Sequence, residues 1–285
     1  MILSFHPCLD ADAQIILGDQ PLSRAHLDLI SGAEAIILPQ SRAIDLYLAC
    51  SRSCALVFPS YEMRLTYPGK TGQSLLFKKY GIPHPETLRW KTVQELRDTY
   101  PYAQAFPHSL PFLIKHDTRH EGEGVFFVED RPGLETAIDR LVVLERSGQR
   151  GFVTQEYIPC GGNVLRAVII GKRILTYWKR PQTPGTVVTT IGRGALIDHQ
   201  WLPELQEKGR ARAQDLSIAT GINLAAIDFV FSFSKEAPDP LALEINYYFA
   251  RRGLGGTEKY YSLLFEAVVE WLDDAGIDPG SIRLV

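Results

Sequence analysis

Two apolar segments in the last quarter of the sequence carry oxygen-donating side chains where a buried strand would normally carry hydrocarbon. Residues 224–231 read LAAIDFVF, and their one charged side chain is Asp228. Residues 241–246 read LALEIN, and their polar side chains are Glu244 and Asn246. An ionised carboxylate in an apolar strand is costly unless it is paired or bound to a metal ion. These two segments are therefore the first candidates for a functional site.

The segment between them predicts how these side chains are brought together. Residues 234–240 (SKEAPDP) are rich in turn formers, so we expect the two apolar segments to be the arms of an antiparallel hairpin. A hairpin centred near Ala237 would place Asp228 opposite Asn246. Glu244 and Asn246 would share one face of their strand, because side chains two apart in a strand point the same way.

Three oxygen donors on one patch suit a hard cation. Carboxylate and amide oxygens, with no histidine or cysteine nearby in the sequence, select Mg²⁺ or Mn²⁺. The alternative is that these residues lie on a solvated strand face and pair with lysine or arginine side chains. The pattern alone leaves both interpretations open.

A second polar feature follows an apolar segment near the middle of the chain. Lys115 ends the segment FLIK at 112–115, and a polar loop containing Gly122 and Gly124 leads into the next apolar segment. Two glycines that frame one residue between strands allow backbone amides to approach a phosphate closely. An ordinary hairpin tip has the same pattern, so this loop alone does not decide between the two.

The apolar pattern predicts an α/β fold, with α+β character in its larger part. Short apolar segments at 14–17, 35–38 and 54–58 flank a predicted helix at 41–52, which is typical of a small α/β unit. The turn-forming triplet at 67–69 then interrupts the chain. Beyond it, strands and helices mix without strict alternation.

Composition excludes several classes of partner. The 285 residues carry a net charge of −3 with 45% hydrophobic and 22% charged residues, so nothing favours nucleic acid or an anionic membrane. The chain has no signal-peptide pattern and no apolar run of about 18 residues. Its four cysteines form no CxxC motif. We therefore expect a cytoplasmic protein with reduced thiols.

Taken in chain order, the short motifs of the larger part resemble the ATP-grasp superfamily. The resemblance is greatest to the branch of glutathione synthetases and RimK-like carboxylate–amine ligases, and it covers about residues 70–258. The motifs are Lys70 before a helix ending at Gly81-Ile82-Pro83, the strand ending at Lys115, the loop EGEGV at 121–125, Gln155-Glu156-Tyr157-Ile158, Arg166 before VIIG, Ile227-Asp228, and Leu243-Glu244-Ile245-Asn246. Each motif is short, and their order and spacing carry the resemblance.

The resemblance implies two α+β subdomains, at 69–157 and 158–285, that clasp ATP behind a small α/β domain at 1–68. The residues implied in ATP binding are Lys70, Lys115, Glu121, Gly122, Gly124, Gln155, Glu156, Tyr157 and Ile158. The lysines and the glycine loop would hold the phosphates, and Glu156 with the following backbone would hold adenine. The residues implied in metal binding are Asp228, Glu244 and Asn246, which would hold two Mg²⁺ ions, or Mn²⁺. Lys115, Arg166 and Arg193 would act on the transferred phosphoryl or acyl group.

The chain departs from this family pattern in two places near the implied catalytic arginines. The acid expected two residues before Arg166 is replaced by Val164. A second arginine expected near Arg193 is replaced by Val187 and Val188. Contacts to ribose or substrate at these positions must therefore differ from those of the family.

A third departure is an insertion directly after the implied metal site. Relatives turn quickly after the counterpart of Asn246, whereas this chain continues with YYFARR at 247–252. We expect Arg251 or Arg252, together with Arg193, to bind a carboxylate or phosphate of the substrate. A surface turn or a subunit contact is the alternative for this insertion.

The function implied by the resemblance is an ATP-dependent carboxylate–amine (or carboxylate–thiol) ligase that releases ADP and phosphate through an acyl phosphate. Its substrates would be small-molecule or peptide acids and amines, and a homo-oligomer is compatible with this branch. The alternatives are a phosphotransferase built on the same fold and a non-catalytic ATP-binding module.

Overall fold

The described part of the chain forms three sheets of four or five strands and one two-stranded sheet. The computed structural model describes residues 1–40, 44–53, 55–101, 105–118, 123–183, 185–187, 189, 192, 194–234 and 236–285. The first sheet lies within residues 2–58, the second within 87–156 and the third within 164–246. The division into domains at 68 and 157 stays a prediction.

The first sheet is parallel and is covered on both faces. Its elements are β1 (Ile2–Ser4), β2 (Leu9–Asp10), β3 (Ala13–Gln14), α1 (Arg24–Gly32), β4 (Ala35–Ile37), α2 (Ile44–Ser51) and β5 (Leu56–Phe58). The strand order is β3-β1-β4-β5. Leu3 and Ile36 pack beneath α1 and α2, whereas Ile37 and Phe58 face the last helix of the chain. Burial on both faces explains why these strands are apolar without alternation.

The predicted elements of this first part are only partly matched by the observed ones. The strand predicted at 14–17 is confined to β3, and β1 is absent from the predicted elements. The first three residues of the predicted helix, 41–43, lie outside the described residues, as does Cys54.

The second sheet is antiparallel and has one apolar face. Its elements are α3 (Glu62–Thr66), α4 (Gly69–Lys79), β6 (Thr87–Trp90), α5 (Val93–Thr99), β7 (Phe112–His116), β8 (Val125–Val128), α6 (Arg131–Arg146) and β9 (Phe152–Glu156), with strand order β6-β9-β7-β8. Phe112, Ile114 and Phe152 pack against α5 and α6. Because side chains alternate along a strand, Lys115 and Gln155 lie on the opposite face.

The third sheet is also antiparallel and lies between two long helices. Its elements are β10 (Val164–Ile170), β11 (Arg173–Arg180), β12 (Leu196–Asp198), α7 (Pro203–Thr220), β13 (Leu224–Val230), β14 (Leu241–Asn246) and α8 (Thr257–Asp274), with strand order β12-β11-β10-β13-β14. Leu165 and Ile227 pack towards α7, whereas Val168 and Ala226 pack towards α8. A final strand, β15 (Arg283–Leu284), pairs with β2.

The hairpin formed by β13 and β14 is confirmed, but its predicted register is wrong. Asp228 lies opposite Glu244, and Asn246 lies opposite Ala226. The register shifts between Asp228 and Phe229, where Leu243 is an extra residue in a β-bulge. The pair Asp228–Glu244 centres the hairpin at residue 236 rather than at Ala237, which accounts for the wrong partners, and the bulge displaces the pairs beyond it further.

Among the helices of the described ranges, none combines the length and apolar character needed to cross a membrane.

Candidate functional site

A cleft lies between the second and third sheets and contains both lysines singled out from the sequence. Its walls come from α4, β6, β7 and β9 on one side and from β14 on the other. The lining residues are Lys70, Gln73, Ser74, Phe77, Thr87, Lys115, Val153, Gln155 and Leu243. Both sheets therefore contribute to one concave surface, which is the usual setting of a ligand site.

Helix α4 is bound to the edge of the third sheet by one side chain. Gln73 Nε2 donates to the Ile245 carbonyl at 2.8 Å, and the Ile245 N–H donates to Gln73 Oε1 at 2.8 Å. The Ala242 N–H donates to the Pro83 carbonyl at 2.8 Å. These bonds satisfy edge groups of β14 that would otherwise be unpaired. They also hold the start of α4, with Lys70, beside β14.

The start of α4 is fixed to the end of β7 by Asp117. Its Oδ1 accepts from the Thr71 N–H at 2.7 Å and from the Thr71 hydroxyl at 2.9 Å. Gly69 has φ +67°, and a Cβ there would lie 2.3 Å from Asp117 Oδ2, so only glycine fits. Burial lowers the pKa of Lys70, while the carboxylates of Glu244 and Asp117 oppose that shift. Holding the charged ammonium group of Lys70 in the cleft therefore costs desolvation free energy.

Lys115 is the second cation that lines this cleft. Its Nζ donates to Gln155 Oε1 at 2.6 Å, and Gln155 Nε2 donates to the Thr87 hydroxyl at 2.9 Å. Burial lowers the pKa of Lys115 to about 8, an effect that Glu244 opposes and Lys70 reinforces. The ammonium group therefore lacks a full counter-charge, which a bound polyanion would supply.

Asp228 is buried in an ion-pair cluster and is only 2% exposed. Arg166 binds it with two parallel bonds, Nε to Oδ1 and Nη2 to Oδ2, both at 2.8 Å. Lys179 Nζ donates to Oδ2 at 2.7 Å. Burial opposes ionisation, but the two cations outweigh it and lower the pKa of the Asp228 carboxyl. Pairing with lysine and arginine, which the pattern left open, thus applies to Asp228, although in the interior.

Lys179 is a residue of this site that the sequence interpretation missed. It lies in β11 opposite Val164, two positions from Tyr177, which lies opposite Arg166. Its side chain is only 6% exposed. The sequence feature that could have indicated Lys179 is its place directly after the apolar residues Tyr177 and Trp178 in one strand.

Glu244 and Asn246 lie on the cleft side of β14 because of the bulge. Ala242 and Ile245 both pack into the core beneath α7, although three residues separate them in the sequence. The extra residue, Leu243, lines the cleft next to Glu244. Asn246 Nδ2 donates to Glu244 Oε1 at 3.0 Å, which leaves the Asn246 amide oxygen available.

The chemistry of these donors fits Mg²⁺. Glu244 and Asn246 offer a carboxylate and an amide oxygen, and Asp228 lies opposite Glu244. Hard oxygen donors of this kind select Mg²⁺. Asp228 already accepts from Arg166 and Lys179, so Mg²⁺ would share that carboxylate with two side chains. In the part of the chain that the structure describes, His, Cys, Asp and Glu form no cluster of three suited to a metal ion, so the amide of Asn246 is needed.

The residues predicted to contact adenine lie at the end of β9 and directly after it. The Glu156 N–H donates to the Glu86 carbonyl at 2.9 Å, and the Tyr157 ring contacts Phe127 with centroids 5.0 Å apart. Ile158 packs with a cluster formed by Cys160, Val164, Val230, Leu241 and Leu243. Val164, where the family pattern has an acid, is thus part of an apolar patch. Leu243 joins this patch to the cleft.

The remaining predicted residues are only partly described. Glu121, Gly122 and Arg193 lie outside the described residues. Gly124 is described, has φ +68°, and accepts from the His116 N–H through its carbonyl at 2.8 Å. A positive φ at Gly124 requires a residue without a Cβ, which accounts for this second glycine of the loop.

Arg251 and Arg252 have different surroundings despite being adjacent. The Arg251 guanidinium lies 4.8 Å from the Tyr260 ring centre and 4.5 Å from that of Tyr261. Arg252 is exposed and begins a short 3-10 turn, Arg252–Leu254. Gly253 in that turn packs on the Tyr177 ring, where a Cβ would lie 2.2 Å from the ring.

Solved structures identify the fold that this cleft belongs to. The chain superposes on a RimK domain ATP-grasp protein from Sphaerobacter thermophilus with TM-score 0.55 and 17% identity, covering 81% of this chain and 80% of that one. It superposes on D-alanine–D-alanine ligase from Bacillus anthracis with TM-score 0.58 and 12% identity, covering 92% and 87%. The predicted ATP-grasp fold is confirmed.

Proteins that are similar in sequence to this chain are named as probable alpha-L-glutamate ligases. A probable alpha-L-glutamate ligase from Vibrio cholerae is 28% identical over 255 residues, which cover 85% of this chain and 77% of the relative. Probable alpha-L-glutamate ligase 1 from Shewanella frigidimarina is 26% identical over 165 residues, covering 57% and 50%. The chain spans about half the length of the first such relatives. No family model matches the chain. The chain therefore has the fold of ATP-grasp proteins and is similar in sequence to probable alpha-L-glutamate ligases.

Because Asp228 lies in the buried ion-pair cluster, we expect its substitution to destabilise the protein more than substitution of Glu244. Asp228→Asn leaves Arg166 and Lys179 as buried cations without a carboxylate, so we expect the free energy of unfolding to fall by about 3–5 kcal/mol. Glu244→Gln keeps an oxygen that can accept from Asn246, so we expect a loss below about 1 kcal/mol. Urea unfolding of both variants tests this contrast. Equal stability of the two variants would contradict the buried cluster.

The pKa of Lys115 predicts that nucleotide affinity depends on pH. Because this pKa is lowered to about 8, from an ordinary value of 10.5, the free protein releases the proton as the pH rises through 8. Binding a polyphosphate then requires proton uptake, so ATP affinity should fall by up to about tenfold per pH unit above 8.

The matched control for this pH dependence is Lys115→Arg, since guanidinium stays charged throughout the range. Calorimetric titration of ATP from pH 7 to 9.5 should give a flatter profile for this variant than for the unmodified protein. Some slope should remain, because burial also lowers the pKa of Lys70. Identical profiles would exclude Lys115 as the titrating group.

Proposed function

We propose that this chain is an ATP- and magnesium-dependent carboxylate–amine (or carboxylate–thiol) ligase that forms ADP and phosphate through an acyl phosphate. One observation carries the proposal. Cationic side chains from different elements surround one carboxylate: Lys70 of α4 and Lys115 of β7 line the cleft, and Arg166 with Lys179, both paired with Asp228, lie like them within electrostatic reach of Glu244.

The charges of this site favour a polyphosphate ligand. Glu244 acts on the pKa values of both cleft lysines, so these three groups lie within electrostatic reach of one another. The carboxylates that act on these four cations are those of Asp228, Glu244 and Asp117, and burial still lowers the pKa values of Lys70, Lys115 and Lys179. A polyanionic ligand would stabilise the charged form of these buried ammonium groups.

We assign the nucleotide base to the apolar patch beside the cleft. Ile158 and Leu243 would pack on adenine, and the backbone after Glu156 would read its edge. The phosphates would then extend towards Lys115 and Lys70. The loop that includes Glu121, Gly122 and Gly124 would close over them, as the family resemblance implies.

The proposed reaction has two steps that need little covalent chemistry from the protein. A carboxylate oxygen of the acid attacks the γ-phosphorus, and ADP leaves with the bridging oxygen. The amine then attacks the acyl carbon, loses a proton, and phosphate departs. Lys70 and Lys115 would fix the phosphates, while Arg166, held in place by Asp228, would stabilise charge on the transferred group, with Arg193 as a further proposed contact. When bound, Mg²⁺ would add positive charge to the phosphate oxygens, and Glu244 and Asn246, with Asp228, would hold it.

The names of the relatives suggest the first substrates to test. They are called alpha-L-glutamate ligases, so we propose an amino acid as the amine substrate and L-glutamate as the first candidate. The acid would be a small molecule or the carboxyl end of a peptide. A cytoplasmic location, a second Mg²⁺ ion and a homo-oligomer belong to the same proposal.

An ADP-release assay over pairs of acids and amines tests this function. A ligase releases ADP when ATP, Mg²⁺ and both substrates are present, and little with either substrate alone. Glu244→Gln should lower the rate at least about a hundredfold, since it removes a carboxylate from the phosphate site. Glu236→Gln, in the exposed turn between β13 and β14, is the matched control and should keep the full rate.

Other outcomes of the same assay would identify the alternatives. A stable phosphorylated product formed from one acceptor alone would indicate a phosphotransferase. Tight ATP binding without ADP release from any pair would indicate a binding module. Full activity of Glu244→Gln would overturn the proposed metal site.

A further inference from the structure

The segment after the metal-site strand is held rigidly by its aromatic residues. Tyr247 is buried, and its ring lies 6.2 Å from that of Tyr61. Phe249 is also buried, and its ring meets Tyr260 edge-on at 6.0 Å. Arg251 follows two residues after Phe249, so the packing of this segment against Tyr61 and α8 limits its position. A guanidinium on a fixed backbone is suited to recognition.

Arg251 contacts aromatic rings but pairs with no carboxylate among the described residues. Its guanidinium contacts the rings of Tyr260 and Tyr261, which stabilise a cation through their π faces. Within the described ranges, no carboxylate forms an ion pair with Arg251, whereas Arg180 in a similar contact with Trp201 also pairs with Asp198. Stacking leaves the in-plane N–H groups available, so Arg251 can still bind an anion in a bidentate manner.

His6 provides a second donor at the same place. Its ring meets Tyr261 edge-on, with centroids 5.6 Å apart. Its Nδ1 accepts from the Cys8 N–H at 3.1 Å, which assigns the ring proton to Nε2. Burial, and secondarily the charge of Arg251, lower the pKa of His6 to about 4, so the ring is neutral at neutral pH. No acceptor for the Nε2 proton lies among the residues that the structure describes.

The two donors lie at the end of the first sheet where ligands are usually found. His6 follows β1, and Gln40 follows β4, so both come from the carboxyl ends of parallel strands. Gln40 Nε2 donates to the Tyr247 carbonyl at 3.3 Å and its Oε1 accepts from the Tyr260 hydroxyl at 3.3 Å. These bonds connect the loops of the first sheet to the insertion and α8.

The same insertion connects this place to the phosphate cleft. Gly253, two residues after Arg251, packs on the ring of Tyr177. Tyr177 lies opposite Arg166 in the third sheet, and the Arg166 guanidinium binds Asp228. A molecule that reaches from Arg251 past Tyr177 would therefore approach the group on which phosphoryl transfer is proposed.

We propose that Arg251 and His6 form a carboxylate-binding subsite that holds a non-reacting carboxylate of the amino-acid substrate. The inference rests on the proposed ligase function for the identity of that substrate, but the anion site itself rests on the contacts above. It selects Arg251 rather than Arg252 from the two inserted arginines. The subsite would orient the amine towards the acyl phosphate while contributing nothing to ATP binding.

The test measures L-glutamate binding directly and in turnover. Calorimetric titration of L-glutamate, in the presence of Mg²⁺ and a non-hydrolysable ATP analogue, should show at least about a tenfold weaker affinity for Arg251→Gln, since a charged hydrogen-bond pair is lost. The KM for L-glutamate in the ADP-release assay should rise by the same factor, with the KM for ATP unchanged. His6→Phe, which keeps a ring against Tyr261, should weaken L-glutamate binding in the same direction.

Two comparisons make the test specific. The α-carboxamide and γ-carboxamide of L-glutamate remove one carboxylate each, and the Arg251→Gln effect should vanish for one of the two. Arg24→Gln removes a charge from the exposed helix α1 and should leave both KM values unchanged. A larger effect of Arg252→Gln than of Arg251→Gln, or equal affinity of Arg251→Gln and the unmodified protein, would overturn the subsite.

The failure of the two proposals can be told apart. Absence of ADP release with every acid–amine pair would reject the ligase function, while the calorimetric titration would still measure the anion site. L-Glutamate turnover that is insensitive to both Arg251→Gln and His6→Phe would reject the subsite and leave the ligase function in place. Absence of L-glutamate binding to the unmodified protein would reject the subsite as stated.

Discussion

The bidentate pair between Arg166 and Asp228, joined by Lys179, is the interaction on which the candidate site depends. Burying three charges costs free energy that their mutual attraction only partly returns. What the cluster provides is a guanidinium and an ammonium group fixed by Asp228 on interior strands of the third sheet, within electrostatic reach of Glu244. Positive charge held in place before the ligand arrives needs no reorganisation during phosphoryl transfer.

Two local features bring the other half of the site to this cluster. The bulge at Leu243 changes the phase of β14, so that Leu243 lines the cleft, while Glu244 and Asn246 lie on the strand face opposite Ile245, which remains in the core. Gln73 then closes the edge of β14 with two hydrogen bonds and brings α4 alongside it. Glu244 and Asn246, the proposed metal ligands, therefore lie near Lys70, a proposed phosphate ligand, because α4 covers the edge of β14.

Sequence patterns anticipated the large elements and the main polar groups. The antiparallel hairpin follows from turn chemistry and the helix before Gly81-Ile82-Pro83 from the family resemblance, and the structure contains both. The register of the hairpin did not follow, because the turn-forming residues locate the centre of the hairpin only to within a residue and the bulge leaves no trace in the alternation of apolar residues. Strand β6 was missed because its residues, TLRW, contain too little apolar pattern over too short a length.

The missed side chains have a common physical explanation. Lys179 reads as a surface residue at the end of a strand, and only the partner two strands away shows that it is buried against Asp228. The surroundings of His6 show the same effect, since Arg251 and Tyr261 are distant from it in sequence but close in the fold. Pairings across sheets are not encoded in local spacing, so they became visible only with the packing.

The central claim is that cations from two sheets bind one polyphosphate. Titration of ATP and of AMP into the unmodified protein, Lys115→Met and Lys179→Met measures this most directly, because Lys115 lies in β7 and Lys179 in β11. The account predicts that the unmodified protein prefers ATP to AMP by about a hundredfold or more, and that each variant loses a large part of this preference. Equal affinity of the unmodified protein for ATP and AMP, or a preference that only one of the two lysines affects, would contradict it.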